Sequence, residues 1–324
     1  MNRRDTQVTG RLLALRAGAL KRHLAAARDG DVHGVHQARV ASRRLREAVP
    51  VLTSGVKGTK AGKARGKIRR LTKALGTVRE LDVTLQLLDE LAATETLPRL
   101  ALEEVRALVV ARRDERRAAM LKRIDHVNVE KLDRRLLAVG EALAQSDSLE
   151  WRSALASRLI TRKKALRTAI ADAGQLYAPE KLHQVRIALK KLRYAMELAA
   201  ESGVKSASAP LRVVKRAQDK LGRLHDLQVL QHHVAEVQAE PSGHTPPHGG
   251  LDTINRALED QCRHLHGAYV ATIPKLADVI ETVRTVVVPQ LAHGGGGLRA
   301  LKMTLKDRAS RRVARVEGVA GEGR

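Results

Sequence analysis

Residues 35–49, VHQARVASRRLREAV, return as residues 182–196, LHQVRIALKKLRYAM. Seven of the fifteen positions are identical: His36/His183, Gln37/Gln184, Arg39/Arg186, Ala41/Ala188, Leu45/Leu192, Arg46/Arg193 and Ala48/Ala195. Most other pairs are conservative, such as Arg43/Lys190 and Arg44/Lys191. A second match follows each copy, KALGTVRELDV at 73–83 and DKLGRLHDLQV at 219–229. A period near half the length of a 324-residue chain describes two copies of one structural unit.

The hydrophobic period is helical nearly throughout, which predicts an all-α fold. Helices are expected over about 6–28, from Asp31 or Val32 to a kink or stop at Pro50, from the end of a flexible basic stretch (54–67) to about 94, and over 98–124, with Thr96 as a cap. The order then repeats, near 149–173, 180–201, 209–239 and 251–272, with a further helix over about 275–291. Residues 240–250, EPSGHTPPHGG, read as a loop. The exceptions with strand-like composition, such as TVRTVVVP near residue 285, are short. This gives a first bundle over 6–125, a helical connector over 126–148 and a second bundle over 149–292. A Gly-rich link and basic tail fill 293–324.

At 100° per residue, His36, Arg39, Arg43 and Arg46 form a stripe about 80° wide. Ala38, Ala41, Leu45, Val49 and Leu52 gather on the opposite side as the core face, while Arg44 points away from the stripe. In the second copy His183, Arg186, Lys190 and Arg193 form the stripe, and Val185, Ala188, Leu192 and Met196 the core face. A solvated helix face ordinarily mixes signs to gain i,i+4 pairs. Neither stripe has an acid at its four positions, and the basic residues recur while Glu47 has become Tyr194. That pattern points to a shared anion-binding task. In the following helix Arg69, Lys73, Gly76, Glu80 and Val83 share a face, matched by Lys215, Asp219, Gly222, Asp226 and Val229. Mid-helix glycine costs about 1 kcal/mol against alanine, so Gly76 and Gly222 imply a close approach by a helix or ligand. Glu80 and Asp226 are expected to orient arginines of the motif helix for phosphate oxygens.

Lys plus Arg number 60 against 35 Asp plus Glu, a formal charge of +25, which calls for a polyanionic partner. One Trp, three Tyr and no Phe are too few for the aromatic platforms on which single-strand binders stack bases. The single cysteine, Cys262, excludes an intramolecular disulfide framework. No apolar run nears the roughly 20 residues of a membrane span. The N-terminal segment lacks the apolar core of a signal peptide, so a cytoplasmic protein is expected. Of the histidine pairs His33/His36, His232/His233, His244/His248 and His264/His266, none has His-x-x-x-His spacing with a nearby carboxylate on a clear helix face, except loosely His244/His248, which lies in a Pro/Gly loop. No phosphate loop, nucleophile elbow or acid/base pair stands out. The expectation is therefore no catalytic residue, no cofactor and no metal.

Two copies of H-x-x-R-[VI]-x-x-[RK]-[RK]-L-R, each followed by L-G-x-x-[RH]-[ED]-L-x-V, give the chain a resemblance to the conserved histidine α-helical domain (CHAD) family over roughly residues 6–290. The resemblance implies two pseudo-symmetric four-helix bundles around a basic groove or pore, in a protein that stands alone rather than beside a triphosphate-tunnel domain. It implies binding of inorganic polyphosphate and association with polyphosphate granules, with nucleic acid a weak nonspecific competitor and no membrane partner. General nucleic-acid binding is the alternative. By motif position, the implied ligand-binding residues are His36, Arg39, Arg43, Arg44 and Arg46, then His183, Arg186, Lys190, Lys191 and Arg193. Arg69, Lys73, Lys215 and Arg216 extend them onto the following helices. Two departures are Arg79-Glu80, where the family commonly has Asp, and Tyr194 on the second basic stripe.

Overall fold

In a computed structural model that describes residues 3–55, 60–144, 150–239 and 248–293, the chain is all-α, with no strand among the described residues. The first half holds α1 (Arg3–Asp29), α2 (Val32–Leu52), α3 (Lys60–Ala92), α4 (Arg99–His126) and α5 (Val129–Ala144). The second holds α6 (Glu150–Ala173), α7 (Pro179–Glu201), α8 (Ser208–Ala239), α9 (His248–Val270), α10 (Ile273–Thr282) and α11 (Val288–His293). In each half the helices that carry the two motifs are neighbours, α2 on α3 and α7 on α8. Helices α2, α3 and α4 meet α6, α7, α8 and α9 across the seam between the halves.

Local chemistry fixes where the first motif helix starts. Asp31 is its N-cap, accepting from the backbone N–H of His33 at 3.1 Å and of Gly34 at 2.8 Å. Gly30, at φ +92°, makes the reversal out of α1. A Cβ on Gly34 would lie 2.7 Å from the Ala26 Cβ, so only glycine lets α1 and α2 approach this closely. The predicted core faces are buried: Ala38, Ala41, Leu45, Val49 and Leu52 in α2, and Val185, Ala188, Leu192 and Met196 in α7. Leucine, valine and alanine fill most of the interior, with Trp151 and Tyr269 the largest buried side chains.

Several boundaries differ from the sequence reading. Helix α2 continues past Pro50 to Leu52, and Thr53 closes it by donating its N–H to the Val49 carbonyl. Helix α3 starts at Lys60, inside the stretch expected to be flexible. Thr96 does not cap α4; Pro98 stands at the N-cap without a side-chain bond. The connector is helical, as expected: it forms α5, which packs on α1 and α3, with Leu132, Leu136, Val139 and Leu143 buried. The valine-rich run is a π-helical turn, Val283–Val287, joining α10 to α11. The basic tail and most of the loop at 240–250, with His244, lie outside the described residues. Among the described residues no helix is long and apolar enough to cross a membrane.

Candidate functional site

Because their apolar faces are committed to the cores, α2 and α7 turn their basic stripes toward the seam. Arg39 and Arg43 of α2 meet Arg186 and Lys190 of α7 there, close enough to perturb one another's ionisation. Burial, then Arg43, lowers Arg39 to about 10. Burial, then Arg186, Arg43 and Arg39, pushes Lys190 down to about 6. Burial lowers Arg186 too, with Asp226 opposing and Arg43 adding to the effect. Among the described residues, none of the four side chains makes a hydrogen bond or ion pair, and the Arg39 and Arg43 Nε atoms are buried without a partner. Cations withdrawn from water without carboxylates are costly to keep charged. Glu80 and Asp226 act on this cluster through space but form no ion pair with it, so the expected carboxylate clamps are absent.

The motif histidines flank the cluster. Burial, then Arg79 and Arg39, lowers the pKa of His36, whose buried Nδ1 has no partner. His183 lies against His225 of α8, ring centroids 4.9 Å apart, and is lowered by burial, then by Arg186 and Lys190. His225 is pushed to about 3 by burial, Arg186 and His183. Arg79 and His225 occupy matched positions of α3 and α8. Sequence reasoning passed over both as site residues, although each directly precedes the acid of the second motif.

Two clefts open beside the cluster. One, of ≈ 390 Å³ between α2 and α3, is lined by Arg39, Arg43, Arg46, Arg69, Lys73 and Gly76. A Cβ on Gly76 would sit 3.8 Å from the Arg39 Nε, an ordinary van der Waals contact, so the close approach that the mid-helix glycine implied is not seen there. Gly222 has nothing within 4 Å, and no close approach explains it. The other cleft, ≈ 560 Å³, is lined by His183, His225, His232 and His233, and Glu80 borders both.

The remaining sequence candidates stand elsewhere. Arg44 donates to Glu197 at 3.1 Å, Arg193 to the same carboxylate at 3.0 Å, and Glu197 is only 5 % exposed. The Arg193 guanidinium also lies over the Tyr194 ring, 5.4 Å from its centroid. Arg16 of α1 donates to the Arg44 carbonyl at 2.7 Å and to Glu201 at 2.8 Å. These side chains tie the halves together. Lys191 lines a groove between α6 and α7 with Arg162, Lys164 and Lys181, and Lys215 and Arg216 are exposed on α8 outside both clefts. Among the described residues no group of three or more His, Cys, Asp or Glu side chains is placed to hold a metal ion.

The family model described as the CHAD domain matches residues 11–235. Comparison with curated proteins returns no match. A crystal structure of the CHAD domain from the plant Ricinus communis is similar with a TM-score of 0.56 and 22 % identity, over 86 % of this chain and 91 % of that one. PptA from Streptomyces chartreusis is similar with a TM-score of 0.61 and 16 % identity, over 83 % of this chain and 98 % of that one. At these identities the two structures speak to the fold alone.

Proposed function

The chain belongs to the CHAD domain family, and from that premise we propose that it binds inorganic polyphosphate in the cytoplasm, on polyphosphate granules, without catalysing any reaction on it. The observation that carries the reading is the quartet Arg39, Arg43, Arg186 and Lys190, drawn from both motif copies, partly buried and unpaired. An oxyanion supplies the missing counter-charge. Arg39, Arg43 and Arg186 offer guanidinium forks that match phosphate oxygens, and charge-assisted bonds of this kind are the strong ones. The cleft beside them continues the positive surface through Arg46, Arg69 and Lys73, room for a second stretch of the same linear anion. A phosphate chain has charge but no bases. That suits a chain with few faces to stack on: Trp151, Tyr194 and Tyr269 are buried, and Tyr177 is the one exposed Tyr or Trp among the described residues.

General nucleic-acid binding is separated from this reading by competition at physiological salt. Long-chain polyphosphate is expected to displace a labelled polyphosphate at concentrations of phosphate residues at which duplex DNA and RNA do not. Equal displacement by all three would reduce the site to a nonspecific basic surface.

A further inference from the structure

The groove between α6 and α7 has a counterpart between α1 and α2, and the two differ in what fills them. Gln37, Val40, Ala41 and Arg44 line the first groove. Gln184, Ile187, Ala188 and Lys191, at the matching motif positions, line the second. The facing helices keep one spacing as well. Leu12, Leu15, Arg16, Ala19 and His23 of α1 are set along the chain as Thr161, Lys164, Ala165, Thr168 and Asp172 are in α6. The first groove already takes an acidic helix end from within the chain. Glu201, at the close of α7, borders it and pairs with Arg16 at 2.8 Å, and Glu197, one turn earlier, pairs with Arg44 at 3.1 Å. The equivalent end of α2 has Pro50 and Ser54 at those two positions, and neither is a carboxylate. Both border instead a cavity of ≈ 450 Å³, which shares Thr161 and Arg162 with the α6/α7 groove and so prolongs it.

The second groove is the larger, ≈ 960 Å³ against ≈ 430 Å³. Its lining sets Arg162, Lys164, Lys181 and Lys191 against one acid, Asp172. Among the described residues the three lysine side chains make no hydrogen bond or ion pair. Glu47 of α2 lies 3.5 Å from the Arg162 guanidinium, yet the Arg162 Nε stays buried without a partner. Ala165, Ala169, Ile187 and Ala188 give the same groove an apolar floor. We propose that the α6/α7 groove docks an acidic helical segment of a partner protein, its carboxylates one turn apart, as the α1/α2 groove takes Glu201 and Glu197. Glutamates at i and i+4 share one helix face and reach Lys191 and Arg162, while the apolar face of the segment lies on Ala165, Ala169 and Ile187. A phosphate chain satisfies the lysines but has no apolar face for that floor. The docking needs no residue of the quartet, so it is independent of polyphosphate binding.

The probe is a labelled peptide of about 20 residues, long enough to hold a helix, with an alanine and leucine stripe flanked by glutamates at i and i+4. A control peptide has the same composition with its glutamates spread around the helix. Both are titrated by fluorescence anisotropy against the full-length protein at physiological salt. The striped peptide is expected to bind at least about tenfold more tightly than the control, and Lys164→Glu with Lys191→Glu should remove at least that factor, since attractions become repulsions. Ala165→Trp, at an exposed position of the floor, should abolish peptide binding while polyphosphate binding, measured on the same preparation, is kept. Equal binding of the two peptides would overturn the proposal, and so would unchanged peptide binding by Ala165→Trp. Displacement of the peptide by polyphosphate from a protein carrying Arg39→Ala and Arg43→Ala would overturn it as well, by making the groove a second track for anions. Any of these results with polyphosphate binding intact rejects the docking and leaves the quartet untouched.

Discussion

Raising the pH from 6 to 9 should weaken polyphosphate binding steeply, with Lys190 setting the slope. In the ligand-free protein its pKa is about 6, against 10.5 for a free lysine. At pH 7 it is therefore about one-tenth protonated. A bound polyanion favours the ammonium form, so binding takes up about 0.9 proton at that pH. The complex then holds more protons than its separated parts, and rising pH favours separation. Affinity should fall about tenfold per pH unit, about 1.4 kcal/mol, from pH 6 up to the raised pKa in the complex. His36 and His183, both lowered in the ligand-free protein mainly by burial, add uptake of the same sign when an anion binds beside them. Calorimetry in two buffers of different ionisation enthalpy reads the proton count, and a labelled-polyphosphate titration reads the affinity. Lys190→Arg, which stays charged, should flatten the profile above pH 6.5. Constant affinity from pH 6 to 9 with no proton uptake would refute the reasoning. The ligand-free fold carries the opposite sign: its unfolded state keeps the Lys190 proton that the native state sheds, so stability should rise with pH between about 6 and 10.5.

Replacing Arg39 and Arg43 together by Ala should weaken polyphosphate binding at least about 100-fold, about 2.7 kcal/mol, while raising the Tm of the ligand-free protein, because two unpaired cations leave the seam; filter binding and thermal unfolding read the two effects. Lys215→Ala with Arg216→Ala, on the exposed side of α8, should change affinity less than about threefold. Arg44→Ala should lower stability by about 1–3 kcal/mol in thermal unfolding, with little change in affinity, since it removes one of two partners of the buried Glu197. Gly76→Ala should be tolerated, and Gly76→Leu should block the cleft beside Arg39 and weaken polyphosphate binding as measured by titration. With about five cations engaged, the logarithm of affinity should fall against the logarithm of salt with a slope of about −3.5, by analogy with a single-stranded polyanion.

The helical period and the repeat made the fold class and the core faces legible, because an amphipathic helix writes its buried side into every third or fourth residue. They also placed Arg39, Arg43, Arg186 and Lys190 on stripes free of acid. What the sequence does not encode locally is which stripe residue meets an acid from the other half. Arg44 meets such an acid, Glu197 of α7, whereas Arg193, on the predicted stripe, is taken by partners of its own helix, Glu197 at i+4 and the adjacent Tyr194 ring, a pairing that the spacing did offer. Arg44 carries a family motif position and is a strut. Glu80 and Asp226 fall on the expected face but stop short of pairing, a matter of ångströms that spacing along one helix cannot fix. The start of α3 was hidden by the glycines Gly62 and Gly66, whose poor propensity is overridden once Ala64 and Ile68 pack into the core.

The Glu197 knot bears on how two copies of one unit grow apart. Its counterpart in the first copy is Pro50, and the counterpart of the buried Tyr194 is Glu47, which takes Arg158 at 2.9 Å and Arg162 at 3.5 Å from α6. Both mismatched pairs lie where one half touches the other. A junction between once-identical surfaces gains complementarity only when the surfaces stop being identical, whereas residues that face a common anion have reason to stay alike. The halves are thus specialised as left and right hands of one grip: a chain carrying two first copies or two second copies would keep its arginines and lose its seam.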